Sequence, residues 1–535
     1  MKRIRLIAII CSFALFSHAQ NGYYYQPAQG WCGDPMPFYN EVTGEFNIYY
    51  LQEYRPNDWA TYHPVHLIST HDFVNYGESG LVLPTGSRSA QDAAIGTGSV
   101  IKAHTGIYYF FYTGNKYQPT ETECRQVIMS ATSTDGLNWT KTNLRLAPDE
   151  WFYYHSDFRD PEVFRTEDGV YHMLVSTGKD ERNVLAEFTS PDCVNWTNRG
   201  VFMTTLWDRY YECPNVFKMG DWWYLVYSEL HREIRKVQYF KASTYAGLAS
   251  CTANDVASWP DNHEGYLDSR GFYAGKTASD GTNRYIWGWC PTRHDDNNTA
   301  VNNDNGEPDW AGTLVSHRLI QHADGSLTLG EIPAVKNWFN EEIEIATPSA
   351  SISAGGSVNM PTLSDKTHLS FTVTASSNQT RFGISLAKEA WSNRYYSLVI
   401  NPEENNKAKV NFVQEGPSSM GFIPYIDSYF FDQPADRVYH IDIYIDRSVL
   451  VMYINDQVCY TNRIYGIQNK PWTIRCYDGS MQVTDICQQI YNPDKTAALE
   501  QIPNIVPSQV CKYLENEQIV ICRGQDKYTI SGKRL

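Results

Sequence analysis

A glycine followed by an aromatic-rich run recurs five times in the first 290 residues of this 535-residue chain. The copies are Gly44–Gln52, Gly106–Gly114, Gly169–Thr177, Gly220–Ser228 and Gly281–Trp289, with the glycines 62, 63, 51 and 61 residues apart. Each copy reads as a turn glycine opening a strand. A repeat of about 60 residues built on strand hairpins is the signature of a radial all-β architecture. Asp34 stands ten residues before the first glycine, Asp160 nine before the third and Glu212 eight before the fourth. In a propeller, equivalent strands line one central channel, so this pattern sends three acids to one axis. The expected fold is all-β, a five-bladed β-propeller over residues 21–340 followed by a β-sandwich over 345–492.

A second periodic element agrees. Ser69–Tyr76, Ser133–Trp139 and Ser190–Trp196 share a Ser, Asp, Asn and terminal aromatic. We read them as structural, outer hairpins whose rings pack between blades. Beyond Pro333 the texture changes. Residues 345–365 are rich in Ser, Thr, Gly and Pro and read as linker plus edge strand. Short alternating segments follow, among them Leu369–Ala375, Tyr395–Ile400, Lys409–Gln414, Tyr439–Ile445 and Val449–Ile454, the pattern of a sandwich. Residues 500–535 form a short tail with a strand or two and no chemistry of its own.

Residues 1–19 carry Lys2, Arg3 and Arg5, an apolar run from Leu6 to Phe16, and Ser17-His-Ala19. That is a secretory signal peptide, and the expectation is a secreted or periplasmic protein without a lipid anchor or membrane span. Its removal takes three positive charges and changes the formal net charge from −16 to −19. So acidic a chain argues against nucleic acid or anionic membrane as partner. Eleven cysteines then remain, scattered and without a C-x-x-C pair, so no zinc is expected. Cys511 with Cys522 and Cys476 with Cys487 are possible disulfides, and buried free thiols are the alternative. The acidic loop Asp295–Gly306 lacks the glycine spacing of an EF-hand and reads as a solvated rim. We expect neither metal nor cofactor.

Asp34 is followed by Pro35, Asp160 by Pro161, and Glu212 by Cys213 and Pro214, with aromatics around each. One Asp in a turn is usually only a turn residue; three at one place in a repeat need another account. Glycoside hydrolysis needs one carboxylate as nucleophile or base and another kept protonated as acid. Apolar burial raises a carboxyl pKa and neighbouring acids split their protonation states. Trp31, Trp59, Tyr62, His63, His66, Trp287 and Trp310 could stack on or bond sugars, although aromatics in a propeller more often pack blades.

The set Trp31…Asp34-Pro35, Arg159-Asp160-Pro161 and Glu212-Cys213 resembles the three hallmark motifs of glycoside hydrolase family 32, the invertases, levanases and inulinases. Thr97-Gly98-Ser99 with Asp92, Phe272-Tyr273-Ala274, Trp310-Ala-Gly312 and Ile445-Asp-Arg-Ser448 are similar to further family segments. The resemblance implies that Asp34 is the nucleophile, Glu212 the general acid/base and Asp160 the residue holding fructosyl hydroxyls. Arg159 would orient the carboxylates, with Trp31, Asp92, Ser99, Tyr273, Trp310, His66 and Gln52 as substrate-binding candidates. It implies retention of configuration, with the Asp34 and Glu212 carboxyls about 5–5.5 Å apart, and a fructan or sucrose-type oligosaccharide substrate. The chain departs from the family at Gly33, where Asn is usual, at Met36-Pro37, and at Leu51 or Gln52, where a Gln belongs. These changes fall where the fructosyl unit would bind. The rival readings are fructosyl transfer releasing a cyclic difructose, an arabinan- or xylan-acting propeller hydrolase, and a carbohydrate-binding propeller without catalysis.

Overall fold

Each recurring phrase becomes the second strand of a blade. Blade one holds β1 (Trp31–Asn40), β2 (Glu45–Glu53), β3 (Val65–Thr70) and β4 (Gly77–Leu83); blade two holds β5 (Ala94–Lys102), β6 (Tyr108–Asn115), β7 (Gln126–Ser133) and β8 (Thr140–Leu146). Blade three holds β9 (Phe158–Arg165), β10 (Tyr171–Lys179), β11 (Arg182–Ser190) and β12 (Thr197–Thr204). Blade four holds β13 (Tyr210–Met219), β14 (Trp222–His231) and β15 (Ile234–Ala242); blade five holds β16 (Tyr273–Ser279), β17 (Arg284–Arg293), β18 (Pro308–Gln321) and β19 (Leu327–Gly330). The structure, a computed structural model, describes residues 22–55, 62–205, 209–231, 234–251, 266–293, 308–388, 395–415, 427–495, 510–515, 518–523 and 526–529. The leader, Trp59 and the acidic loop at 295–306 therefore lie outside the described residues.

The first two strands of each blade meet at a turn where Gly44, Gly106, Gly169, Gly220 and Gly281 take φ of 72°, 85°, 87°, 55° and 89°. Other residues enter that left-handed region only at a cost, which is why glycine recurs there. The first strands, β1, β5, β9, β13 and β16, neighbour one another in turn, and β16 meets β1, so five strands close a ring. The ring is locked by β18 pairing with β1, Cys32 opposite Gly312. That pairing joins the first blade to the last at the seam of the ring.

The Ser–Asp–Asn motifs are the turns between third and fourth strands of blades one to three. Asp135 accepts from the backbone N–H of Leu137 and Asn138 at 2.8 Å each and from Asn138 Nδ2 at 2.8 Å. Asp72 and Asp192 repeat the arrangement. The terminal rings pack between blades as expected: Trp139 lies 5.8 Å from Tyr49, and Trp196 lies 5.4 Å from Phe111.

Every inner strand is bulged at one place. In β1 the pairing skips from Gly33 to Met36, in β9 from Arg159 to Glu162, and in β13 from Glu212 to Asn215. In β5 it skips from Gly96 to Gly98 and in β16 from Tyr273 to Lys276. The skipped residues are Asp34-Pro35, Asp160-Pro161, Cys213-Pro214, Thr97 and Ala274-Gly275. Proline belongs there because a bulge asks for no ladder N–H at that position. Asp160, Cys213 and Ala274 sit at positive φ, 58°, 50° and 55°. The register also refines the sequence reading of the acids. Glu212 matches Arg159 and Gly33, one residue before the bulge, while the equivalent of Asp160 in blade four is Cys213.

The second half packs two antiparallel sheets of seven and six strands face to face. Their inner faces, including Leu369, Ile384, Leu398, Ile443 and Trp472, make a continuous apolar core. The stretch read as linker plus edge strand at 345–365 supplies two edge strands, Ala350–Ser353 and Ser357–Thr362, one to each sheet. Ser- and Thr-rich edge strands carry little apolar pattern, so the sequence shows one strand there and not the second. Cys476 and Cys487 are free thiols, not a disulfide. The tail holds three short paired strands, with Cys511 opposite Cys522 in register. Propeller and sandwich are joined by buried polar contacts. Arg463 donates to Cys290 O at 2.6 Å, Pro291 O at 3.0 Å and Ser448 Oγ at 2.7 Å. No helix among the described residues is long and apolar enough to cross a membrane.

Candidate active site

Residues at the bulges and immediately before them line a cavity of about 510 Å³ at one end of the channel. Asp34, Thr97, Arg159, Asp160, Glu212, Cys213 and Tyr273 line it, with Glu53, Tyr62, His63, Arg125, Arg235 and Trp310 around them. A second cavity of about 310 Å³ is lined by later residues of the same strands, including Ser99, Glu162, Asn215 and Lys276. The two therefore occupy opposite ends of one channel. Between them Lys276 donates to Gly98 O at 2.7 Å and pairs with Glu162 at 2.9 Å, a plug that ties three inner strands together.

Each acid is held by its neighbours. Asp34 accepts from Thr97 Oγ1 on β5 at 2.5 Å and from Trp289 Nε1 on β17 at 2.9 Å. Asp160 receives the backbone N–H of Cys213 at 2.9 Å, while its own N–H donates to Thr113 Oγ1 at 2.9 Å. Glu212 accepts from Arg159 Nη2 at 3.0 Å and from the Tyr273 hydroxyl at 2.6 Å. Arg159 also pairs with Asp157 at 2.6 Å and lies 4.0 Å over the Tyr210 ring. Side-chain bonds thus link all five blades around the acids.

Their electrostatics differ from those of surface carboxylates. Burial pushes Asp34 above its ordinary range, opposed by the Thr97 and Trp289 bonds and reinforced by Glu212. Burial also drives Asp160 upward, to about 7, with Arg159 pulling down and the Glu212 charge pushing up. Crowded carboxylates in a dry site retain a proton at a pH where a free Asp has lost it.

Gly33, where the resemblance calls for Asn, has a local cause. A Cβ there would lie 2.2 Å from Cη2 of Trp310. The indole covers the backbone beside Asp34 and leaves no room for a side chain.

The residues proposed for substrate binding divide. Arg159, Tyr273 and Trp310 line the cavity with the three acids. Trp31, Asp92, Ser99, His66 and Gln52 are not among its lining residues. Trp31 lies under the Arg55 guanidinium at 3.6 Å. Asp92 is 4 % exposed and pairs with Lys141 at 2.5 Å. Ser99 bridges β5 to β9 through Pro161 O and Val163 N. His66 packs against Tyr50, and burial drops its pKa to about 4. Gln52 donates to Gln29 O at 2.9 Å, and Leu51 is the cavity residue of that pair. Strand alternation turns Gln52 away from the side that Leu51 faces, and Ser99, two residues past the bulged Thr97, lies further along the channel at the second cavity. Thr97, Glu53, Arg125 and Arg235 also line the cavity, and Trp289 bonds Asp34 beside it. Thr97 stood in a quoted motif and Trp289 in the repeat; the other three carry no sequence signal.

Among the described residues one further polar cluster could present metal-ligand atoms, at the propeller–sandwich joint. Asp268, His317 and Cys459 are all buried there. Asp268 already accepts from Thr461 N at 2.8 Å and Oγ1 at 2.6 Å, and His317 Nδ1 is 2.7 Å from the Tyr453 hydroxyl. Hydrogen bonds account for the cluster.

Residues 24–331 match the profile of the glycosyl hydrolases family 32 N-terminal domain. The chain belongs to glycosyl hydrolase family 32. Residues 325–488 match the GH32, BT1760-like, C-terminal domain, so both halves agree. A sucrose-6-phosphate hydrolase of Vibrio alginolyticus is 22% identical over 448 residues, 81% of this chain and 83% of its own. A fructan 6-exohydrolase of Beta vulgaris is 24% identical over 221 residues, 38% of this chain and 36% of its own. Among solved structures, fructan 1-exohydrolase IIa of Cichorium intybus superposes with a TM-score of 0.69 at 14% identity, covering 88% of this chain and 97% of its own. The family 32 chain is a glycoside hydrolase, and its fold is the propeller and sandwich of these neighbours.

Proposed function

We propose that the protein is an exported retaining β-fructofuranosidase acting on fructans or sucrose-type oligosaccharides. The observation that carries the reading is the different clamping of two cavity acids. Asp34 is held by two neutral donors in a buried place, and Glu212 lies between a guanidinium and a phenol. In this mechanism Glu212 protonates the departing glycosidic oxygen while the Asp34 carboxylate attacks the anomeric carbon. Glu212 then takes the proton of an incoming water as the fructosyl–Asp34 bond breaks. Asp160 accepts hydrogen bonds from fructosyl hydroxyls, and Arg159 fixes the Glu212 carboxylate. The relatives named above act on sucrose 6-phosphate and fructans by their descriptions, which supports this substrate class. The export expectation rests on the basic and apolar segment at residues 1–19.

The test is to incubate the purified protein with levan, inulin and sucrose and identify products by chromatography and mass. Free fructose or short linear fructans are expected. A product lighter than difructose by one water would replace hydrolysis with intramolecular transfer. No turnover on any of the three overturns the substrate class.

A further inference from the structure

A three-ring stack forms one wall of the cavity. The His63 imidazole lies between Tyr62, at 3.7 Å and 26°, and Trp310, at 4.3 Å and 28°. Both faces of the imidazole are covered, so a ligand reaches only its edge. One edge nitrogen is committed: Nε2 sits 2.8 Å from Glu53 Oε2. No hydrogen bond to Nδ1 is made among the described residues, and His63 lines the cavity. The backbone is held in the left-handed region to place it there, with φ of 50° at His63, a strain that collects at functional positions. Burial alone would push Glu53 up, but His63 and the Arg55 N–H outweigh it and keep the carboxyl below its ordinary range. The Glu53 carboxylate accepts the Nε2–H bond, which fixes that nitrogen as a donor and leaves the Nδ1 edge to meet a ligand.

We propose that His63 is a substrate-contacting residue whose Nδ1 edge accepts a sugar hydroxyl beside Asp34, with Glu53 as the positioning residue that sets its tautomer. This rests on the β-fructofuranosidase reading. It assigns a polar contact to a stretch where the family's usual Gln position is occupied by the apolar Leu51.

The test compares His63→Phe and His63→Asn with wild type on the best substrate, by kcat, KM and thermal melting. Phe keeps a three-ring stack without nitrogen; Asn keeps a polar atom near Nδ1 without the ring. His63→Phe is expected to lose about tenfold or more in kcat/KM, mostly through KM, at near wild-type melting temperature. His63→Asn is expected to recover part of that loss. Activity of His63→Phe within about threefold of wild type, or equal impairment of both variants, overturns the proposal, because the ring alone would then matter. Should His63→Phe fail to fold, Glu53→Gln serves: a raised KM is expected and unchanged kcat/KM overturns it. A wild type silent on every β-fructofuranoside would instead sink the functional reading itself.

Discussion

At the residue scale, the site works by pairing each carboxylate with a different environment. Replacing Asp34 by Asn or Glu212 by Gln keeps shape and hydrogen bonding but removes the nucleophile or the proton carrier. Each variant is expected to lose several orders of magnitude in turnover, about 10³-fold or more, with the fold intact by circular dichroism. Retention of more than about a tenth of wild-type activity would refute the role of that residue. Asp160 makes a second prediction, through pH. Its folded pKa lies above its unfolded value, so the folded state holds the extra proton. Stability from this group is full below the unfolded pKa and declines as pH rises from about 4 toward 7. Asp160→Asn removes that penalty and should melt several degrees higher than wild type at pH 8. The gap should close at pH 4, and a gap that widens on acidification would contradict the account.

At the scale of elements, one device is used five times: an inner strand bulged near its start. The bulge re-aims the strand so that residues at it or just before it face the channel, and its unpaired position accepts proline. Sequence showed the Asp-Pro and Cys-Pro pairs but not that they are bulges, since register depends on the partner strand. That is why Glu212 looked equivalent to Asp34 and Asp160 although it stands one residue earlier. The bulged strand also bears the contact that makes Gly33 necessary. Gly33→Ala places a methyl against Trp310 and is expected to cost about 1–3 kcal/mol through overpacking and to impair turnover, measured by denaturant melts and initial rates. By contrast, Asp135 caps an outer turn far from the cavity. Asp135→Ala should cost about 1 kcal/mol or more and leave kcat unchanged; a large change in kcat would show that the outer turn communicates with the site.

At the scale of the whole molecule, propeller and sandwich share a boundary of buried polar side chains. Arg463 is 1 % exposed and donates across the boundary to two backbone carbonyls of β17. Arg463→Ala orphans those acceptors and should destabilise the protein by about 3 kcal/mol or more. Calorimetry should then resolve two unfolding transitions where wild type has one; a single unshifted transition would deny the boundary this role. The five blades, the second-strand positions and the three acids were legible in the chain itself. A turn glycine and an aromatic strand form a local pattern, and its period survives wherever the blades are placed. The sequence also carried the family motifs. It could not say that Leu51 rather than Gln52 faces the cavity, or that Ser99 and Asp92 lie below and beside it. Nor could it show that Thr97, Trp289 and Tyr273 clamp the acids, or that His63 is caught between two rings over a buried Glu53. Those facts depend on strand register and on which side chains from distant blades meet, and only the closed ring decides them.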